Sequence, residues 1–307
     1  MAKYIAKNVL MVIPTMLCVV LIIFTINYFT PGDPVAVFYD FDYTPEQYAE
    51  KAAEWGLDKP FFEQFFNYIK NIVTKGDFGY SYYSGISVKS ELSARFPVSL
   101  KLGLISVVLT VLIGVPFGII SATKQYSLLD YSVTFVSLFF AAVPGFWLSM
   151  IMILIFSSRL GWLPSSGLTS WTCYIMPVIA SSAQYVASVT RQTRSSMLEV
   201  IRQDYIRTSR AKGQSEVKTI MQHGFRNALI PVMTLLVFRL PILVSGTVVI
   251  ESVFNYPGMG AMVLDALSGS DVPVVMLSTM VIAAVTLAAS CLVDILTAAL
   301  DPRVRLN

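Results

Sequence analysis

The sequence predicts an all-α, polytopic membrane protein with six transmembrane helices. Of its 307 residues 55% are hydrophobic and only 13% are charged, a balance too apolar for a soluble domain. Six apolar stretches approach the roughly 20 residues that a helix needs to cross about 30 Å of hydrocarbon. The connections between them divide by charge, with short basic ones on one side and one long, more acidic one on the other.

The first stretch, Val9 to Phe29, follows Lys3 and Lys7. It is too long for the apolar core of a secretory signal, and Asn27-Tyr28-Phe29-Thr30 offers no small-residue cleavage pattern, so residues 1–29 are expected to be an uncleaved first span. Residues 30–97 are expected to form an extracytoplasmic helical cap. Thr44, Pro45 and Gln47 make a helix-start signature, Pro60 to Thr74 places Phe62, Phe65, Phe66 and Ile69 at helical spacing, and Gly76 to Ser81 reads as a turn.

Residues 98–307 are expected to be a five-helix core. Its spans are Leu102 to Ala122, Tyr131 to Phe156, Trp171 to Val189, Ala228 to Val253 and Val274 to Leu296. Thr123 to Asp130 is expected to be a short loop. Trp171 to Val189 is weakly apolar because of Ser181, Ser182, Gln184 and Ser188, so other helices should shield it from lipid. With the N-terminus inside, thirteen Lys and Arg fall in the inner segments and eight in the outer ones, which puts both termini in the cytoplasm.

Enzymatic chemistry finds little to work with. The single histidine, His223, cannot build a paired-histidine metal site. No cysteines have zinc spacing, and there is no phosphate loop or nucleophile elbow. Cys18, Cys173 and Cys291 lie in or beside apolar spans and are expected to pack there. Movement of a solute against its gradient would therefore draw on an ion gradient or on a partner's ATPase. Acidic residues near the middle of the spans would suit an ion gradient. Glu251 and Asp294 instead sit toward span ends.

The most informative segment is 190–227, which carries eight basic residues against Glu199, Asp204 and Glu216. It reads as a helix, a glycine break at Gly213 in a left-handed conformation, and a second helix returning to the membrane. Such a segment is either a handle by which something outside the bilayer moves the helices, or a basic loop held by anionic lipid heads. Other features carry paired readings too. Ser181, Gln184 or Tyr185, and Ser188 share a face of the fourth span and suit either helix packing or pathway lining. Phe139, Phe140, Phe146 and Trp147 beside Pro144 read as core and lipid-facing residues. Glu251 and Asp265 read as solvated loop charge. Arg239 lies halfway along the fifth span, where it either meets a carboxylate of a partner or lines the pathway, with Pro241 loosening the helix beside it.

Seven motifs in order carry a resemblance to a known family. They are Pro31-Gly32-Asp33-Pro34, Gly56-Leu57-Asp58-Lys59-Pro60, Gly76 to Ser81, Asp204 to Gly213, Arg226-Asn227-Ala228-Leu229-Ile230-Pro231, Glu251 to Gly260, and Val293-Asp294 through Arg305. Over nearly its whole length the chain resembles the B-type permease subunit of dipeptide and oligopeptide ATP-binding-cassette (ABC) importers, a group that includes nickel permeases. The importer loop motif opens Glu-Ala-Ala and has a glycine four residues on; here Arg207-Thr208-Ser209 stand at the opening and Gly213 matches the glycine, while the later Ile-x-Leu-Pro falls on His223-Gly224-Phe225-Arg226.

The resemblance implies the type I ABC importer permease fold in a bacterial inner membrane. It implies no catalysis, cofactor or metal on this chain, because ATP and Mg are bound by partner subunits. The implied partners are a second, C-type permease, two ATP-binding subunits, an extracytoplasmic substrate-binding protein, membrane lipid and a peptide substrate, with no nucleic acid. Asp204, Arg207, Thr208, Ser209, Ala211 and Gly213 would form the ATPase-coupling loop. Arg239, Gln184 and Ser188 would line the pathway. A same-family permease for nickel or another small solute, and a stand-alone secondary transporter, are the alternatives.

Overall fold

The computed structural model describes residues 2–30, 32–39, 41–245 and 248–300. Its helices, in chain order, are α1 (Ala2–Phe29), α2 (Pro34–Phe38), α3 (Pro45–Trp55), α4 (Phe61–Lys75), α5 (Val88–Thr123), α6 (Leu128–Ala142), α7 (Gly145–Met152), α8 (Ile175–Ile201), α9 (Asp204–Ala211), α10 (Glu216–Lys218), α11 (Arg226–Ser245), α12 (Val248–Val253), α13 (Met259–Ser268) and α14 (Val272–Leu300). No strand occurs among the described residues, only an isolated bridge between Tyr80 and Ser87. By contacts the described residues divide into two compact units, one within 2–99 and 257–287 and the other within 100–256 and 288–300.

In the first unit, local chemistry starts and stops the short helices. The Asp33 carboxylate accepts the Val35 and Ala36 N–H groups to open α2. Thr44 and Gln47 form the reciprocal capping box expected for α3. Gly56 and Gly76, both left-handed, end α3 and α4. The Phe61 and Phe65 rings of α4 meet Phe24 of α1 edge-on, each with centroids 5.4 Å apart. Beneath the turn after α4, Asp271 accepts the Ser81 hydroxyl and the Tyr82 N–H. A core of Val88, Met259, Met262, Ala266, Val274 and Leu277 joins the start of α5 to α13 and α14. Half of the stretch between the expected spans ending at Val253 and beginning at Val274 is thus helix α13, with Met259, Gly260, Met262 and Ala266 buried.

The second unit is organised around α8, on which α6, α7, α11 and α12 pack. Small and hydroxylic residues permit the approach of α5. The hydroxyls of Ser106 and Ser181 lie 2.7 Å apart, and α5 presents Gly114 and Gly118 to α8. A Cβ on Gly118 would sit 2.5 Å from Thr193 Cβ and 2.7 Å from the Thr190 carbonyl oxygen, and neither can swing aside.

Several expectations are corrected. Tyr131 to Phe156 is not one straight helix: α6 and the helix beginning at Gly145 meet at a bend of 98°. Pro144 is the cause, because it lacks an N–H and its ring forces Val143 out of the helical region, to φ −78° and ψ 121°. Asp130 is not in a loop but on α6, 2% exposed. The polar segment does not open as a loop at Thr190, since α8 runs on to Ile201 with Thr190, Thr193, Ser196 and Met197 buried. Glu251 is not a solvated loop charge, being fully buried on α12. Cys18, expected to pack, is exposed on this chain, whereas Cys173 is buried.

By length and composition, three helices among the described residues suffice to cross a membrane, or four if the bent pair is one span. The other two expected spans lie on α8 and α11, 27 and 20 residues long. Phe139, Phe146 and Trp147 are exposed beside the bend.

The α5–α8 seam yields a stability test. Gly118→Ala is expected to cost about 1–3 kcal/mol through overpacking and to lower the melting temperature of the detergent-solubilised protein. Gly145→Ala, whose new Cβ would lie no closer than 3.5 Å to any neighbour, should be tolerated.

Candidate functional site

Helix α9 is short, polar and presented outward. Only Arg202 and Gln203 separate it from α8. Asp204, Arg207, Thr208 and Ala211 recur at helical spacing on one exposed face, while Ile206 and Ser209 point inward and are buried. Ser209 is therefore not on the exposed face with the other expected coupling residues. Its hydroxyl donates to Gln214 Oε1 at 2.8 Å and lies 3.0 Å from the Thr219 hydroxyl, which joins α9 to the helix that follows.

Gly213 adopts the left-handed conformation expected of it, at φ +75°. Its N–H reaches the Arg210 carbonyl (2.9 Å), and the Gln214 N–H reaches back to Ser209 (3.4 Å). This is the two-bond Schellman pattern that satisfies the last carbonyls of a helix. Arg210 then donates two hydrogen bonds across the turn to Glu216, at 3.0 and 2.6 Å. Those bonds hold the Glu216 carboxyl below the ordinary glutamate range, against the opposing effect of burial, and raise the Arg210 pKa. His223 meets the same Gln214 oxygen at 3.1 Å. A π-helical turn over Thr219–Phe225 carries the chain from α10 into α11.

Behind α9 the frame is fixed twice. One fixture is apolar: Ala122, Met197, Ile220 and Ala228 form a buried cluster with Ile119, Ile201 and Phe225 packed against it. The other is an ion pair that no motif announced. Asp130 on α6 accepts Arg194 Nε at 2.7 Å and Nη2 at 2.9 Å, the Ser121 hydroxyl of α5, and the Tyr126 N–H at 3.0 Å.

The expected pathway residues are placed as follows. Gln184 donates to the Val143 carbonyl at 2.9 Å, across the α6–α7 bend. Ser188 turns back to the Gln184 carbonyl. Arg239 falls on α11, but its side chain lies outside the described residues, as do the Asp294 side chain and residues 301–307. No group of three His, Cys, Asp or Glu among the described residues could hold a metal ion.

With this geometry in hand, similarity to known proteins is informative. Residues 114–306 match the family described as "Binding-protein-dependent transport system inner membrane component", and residues 1–103 match its N-terminal companion. The oligopeptide transport system permease protein AppB of Bacillus subtilis (strain 168) is 38% identical over 318 aligned positions, covering 99% of each chain. The glutathione transport system permease protein GsiC of Escherichia coli (strain K12) is 36% identical over 305, again covering 99% of each. Among solved structures, a chain of the inward-facing MetNI methionine ABC transporter matches with a TM-score of 0.54 at 18% identity, over 68% of this chain and 96% of that one. That last likeness concerns the fold.

The turn at Gly213 and the Arg210–Glu216 pair generate two predictions. No atom lies within 4 Å of a Cβ added at Gly213, so substitution there strains the backbone alone. The left-handed conformation costs most side chains roughly 1–2 kcal/mol and asparagine less. Amide exchange over 204–216 should accordingly rise in the order Gly213, Gly213→Asn, Gly213→Val. Because the folded-state pKa of Glu216 is depressed, its contribution is present above the ordinary glutamate range and is lost as pH falls through the depressed value. At side-chain exposures of 40% and 60% the pair is worth at most about 1 kcal/mol. Glu216→Gln should speed exchange of the turn by no more than roughly fivefold at neutral pH, and the difference from wild type should vanish in acid.

Proposed function

The chain belongs to the family of binding-protein-dependent transport system inner membrane components, and from that premise we propose that it carries short peptides inward through a pathway it shares with a second permease. It is a permease subunit of an ABC importer, with the type I importer permease fold. The family is one of transport proteins, not enzymes, and in such importers ATP is used by partner subunits.

The observation that carries the reading is the combination of a match along 99% of two peptide-transport permeases with an outward-facing polar helix on a fixed frame. The partners are a C-type permease, two ATP-binding subunits and an extracytoplasmic binding protein that delivers the peptide. The exposed face of Asp204, Arg207, Thr208 and Ala211 enters a cleft of one ATPase, with Gly213 ending the inserted helix. Six spans place both termini and α9 in the cytoplasm, in keeping with the basic bias of the inner segments. Nucleotide-driven closure of the ATPases then moves the helices between two states.

The same reading assigns Gln184, Ser188 and Arg239 to the pathway. An arginine within an apolar run costs roughly 2.5–3.5 kcal/mol on insertion scales, so it is kept away from lipid, and a guanidinium supplies paired donors for a peptide carboxylate or carbonyl.

Two experiments test the proposal. The four-subunit complex in proteoliposomes, supplied with its binding protein, is expected to take up radiolabelled tetra-alanine only with internal ATP. Uptake by this chain alone would instead establish a stand-alone transporter, and uptake of nickel but not peptide would establish the metal branch. Arg239→Gln should reduce peptide uptake by an order of magnitude while the complex assembles and basal ATPase persists. Loss of the permease pair would make Arg239 structural. For orientation, a cysteine at Ser215 should resist an impermeant thiol reagent in intact cells and one at Tyr82 should react.

A further inference from the structure

The strongest unassigned feature is the carboxylate on α6 that three elements converge on. Asp130 is 2% exposed and its two oxygens are both engaged. Oδ1 takes Arg194 Nε and the Ser121 hydroxyl, and Oδ2 takes Arg194 Nη2 and the Tyr126 N–H. The partners come from α8, from the last turn of α5 and from the turn between α5 and α6. The bidentate fork fixes the direction of Arg194 as well as its distance, which a lysine could not do. Tyr126 is held at φ +64°, a conformation costly for a residue with a side chain, and the Asp130 bond stands against that cost.

The position of Arg194 gives this clamp a consequence for transport. It lies two turns before the end of α8, and α9 follows after only Arg202 and Gln203. Between the clamp and α9, Met197 is fully buried in the cluster with Ala122, Ile220 and Ala228. A displacement of α9 therefore reaches α8 through a two-residue joint, and the clamp and the cluster oblige α5, α6 and α11 to follow.

We propose that Arg194, through its fork onto Asp130, is a positioning residue for coupling: it makes α9 and the membrane helices one lever, so that ATPase movement is converted into helix movement. The proposal rests on the reading of α9 as the ATPase docking element. It concerns what transmits the motion, not what α9 docks against.

Arg194→Gln, Arg194→Lys and Asp130→Asn would be compared in the complete importer in proteoliposomes. Tetra-alanine uptake per ATP hydrolysed would be read alongside recovery of assembled complex. In parallel, spin labels at Lys124 and Lys212, both exposed, would report the distance from the α5 end to the end of α9 with and without vanadate-trapped nucleotide. In otherwise wild-type complex the distance distribution is expected to be narrow in both states.

Arg194→Gln should recover as complex and retain ATPase, while uptake per ATP falls about tenfold and the distance distribution broadens. Arg194→Lys should fall between, because it keeps the charge and loses the fork. Undiminished uptake per ATP with a narrow distribution in Arg194→Gln would overturn the proposal. So would parallel loss of complex, ATPase and uptake in all three variants, which would make the clamp purely structural. A wild-type complex without ATP-driven uptake would sink the functional reading instead, and the spin-label comparison would still decide whether Arg194 ties α9 to α5.

Discussion

Burying the Asp130 carboxylate imposes a condition that much of the second unit is arranged to meet. An ionised carboxylate away from water is tolerated only when charge and hydrogen bonds replace what hydration supplied. Here the replacement needs four donors from three elements, so the α5 end, the α5–α6 turn and α8 must all be in register for any one of the bonds to be good. The glycine seam makes that register attainable. With Gly118 against Thr193, α5 and α8 approach closely at the level of Arg194, the next residue along. Removing one partner alone would leave an unpaired charge, so the pair acts as a geometric constraint more than as a source of net stability.

The bend at Pro144 illustrates the same economy of polar groups on a neutral scale. Val143, extended at the bend, leaves its own carbonyl without the bond that a continuous helix would have supplied. Gln184, from the middle of α8, donates to the carbonyl of Val143. The polar residues that made Trp171 to Val189 look weak as a span are thus partly accounted for inside the protein. Ser181 bonds to Ser106 and Gln184 holds the bend, so α8 is polar because it is central.

Features governed by neighbours in sequence were legible in advance. The capping box of Thr44 and Gln47, the helix over Phe61–Lys75 and the left-handed Gly213 each depend on a few consecutive residues, and each reads directly from them. Features governed by distant partners were not. Arg194 on α8 read only as one of eight basic residues of a polar segment, and Asp130 as part of a short loop, because a sequence shows a charge and does not show its partner 64 residues away. Glu251 was misread because its burial on α12 depends on the elements packed around that helix. Of the proposed coupling residues, the exposed face of Asp204, Arg207, Thr208 and Ala211 follows from helical spacing, whereas the inward turn of Ser209 depends on Thr219 and Gln214 being folded back beneath it.

Helix α9 shows why the constraint has to lie elsewhere in the chain. Eight residues are too few for a stable isolated helix, since nucleation is costly and helices shorter than about 12 residues are marginal in water. Its N-cap, Gln203, contributes no side-chain hydrogen bond, so its start is not locally reinforced either. What keeps it formed is tertiary: the buried Ile206, the Ser209 bonds and the Schellman turn at Gly213. A short exposed helix built this way is ordered only as part of its frame. Force applied to its exposed face is resisted by the bonds that hold it folded, and those bonds lead to the π-helical turn and the apolar cluster behind it. Order and mechanical connection in α9 thus have one physical origin, the contacts that Ile206 and Ser209 make with the elements behind it.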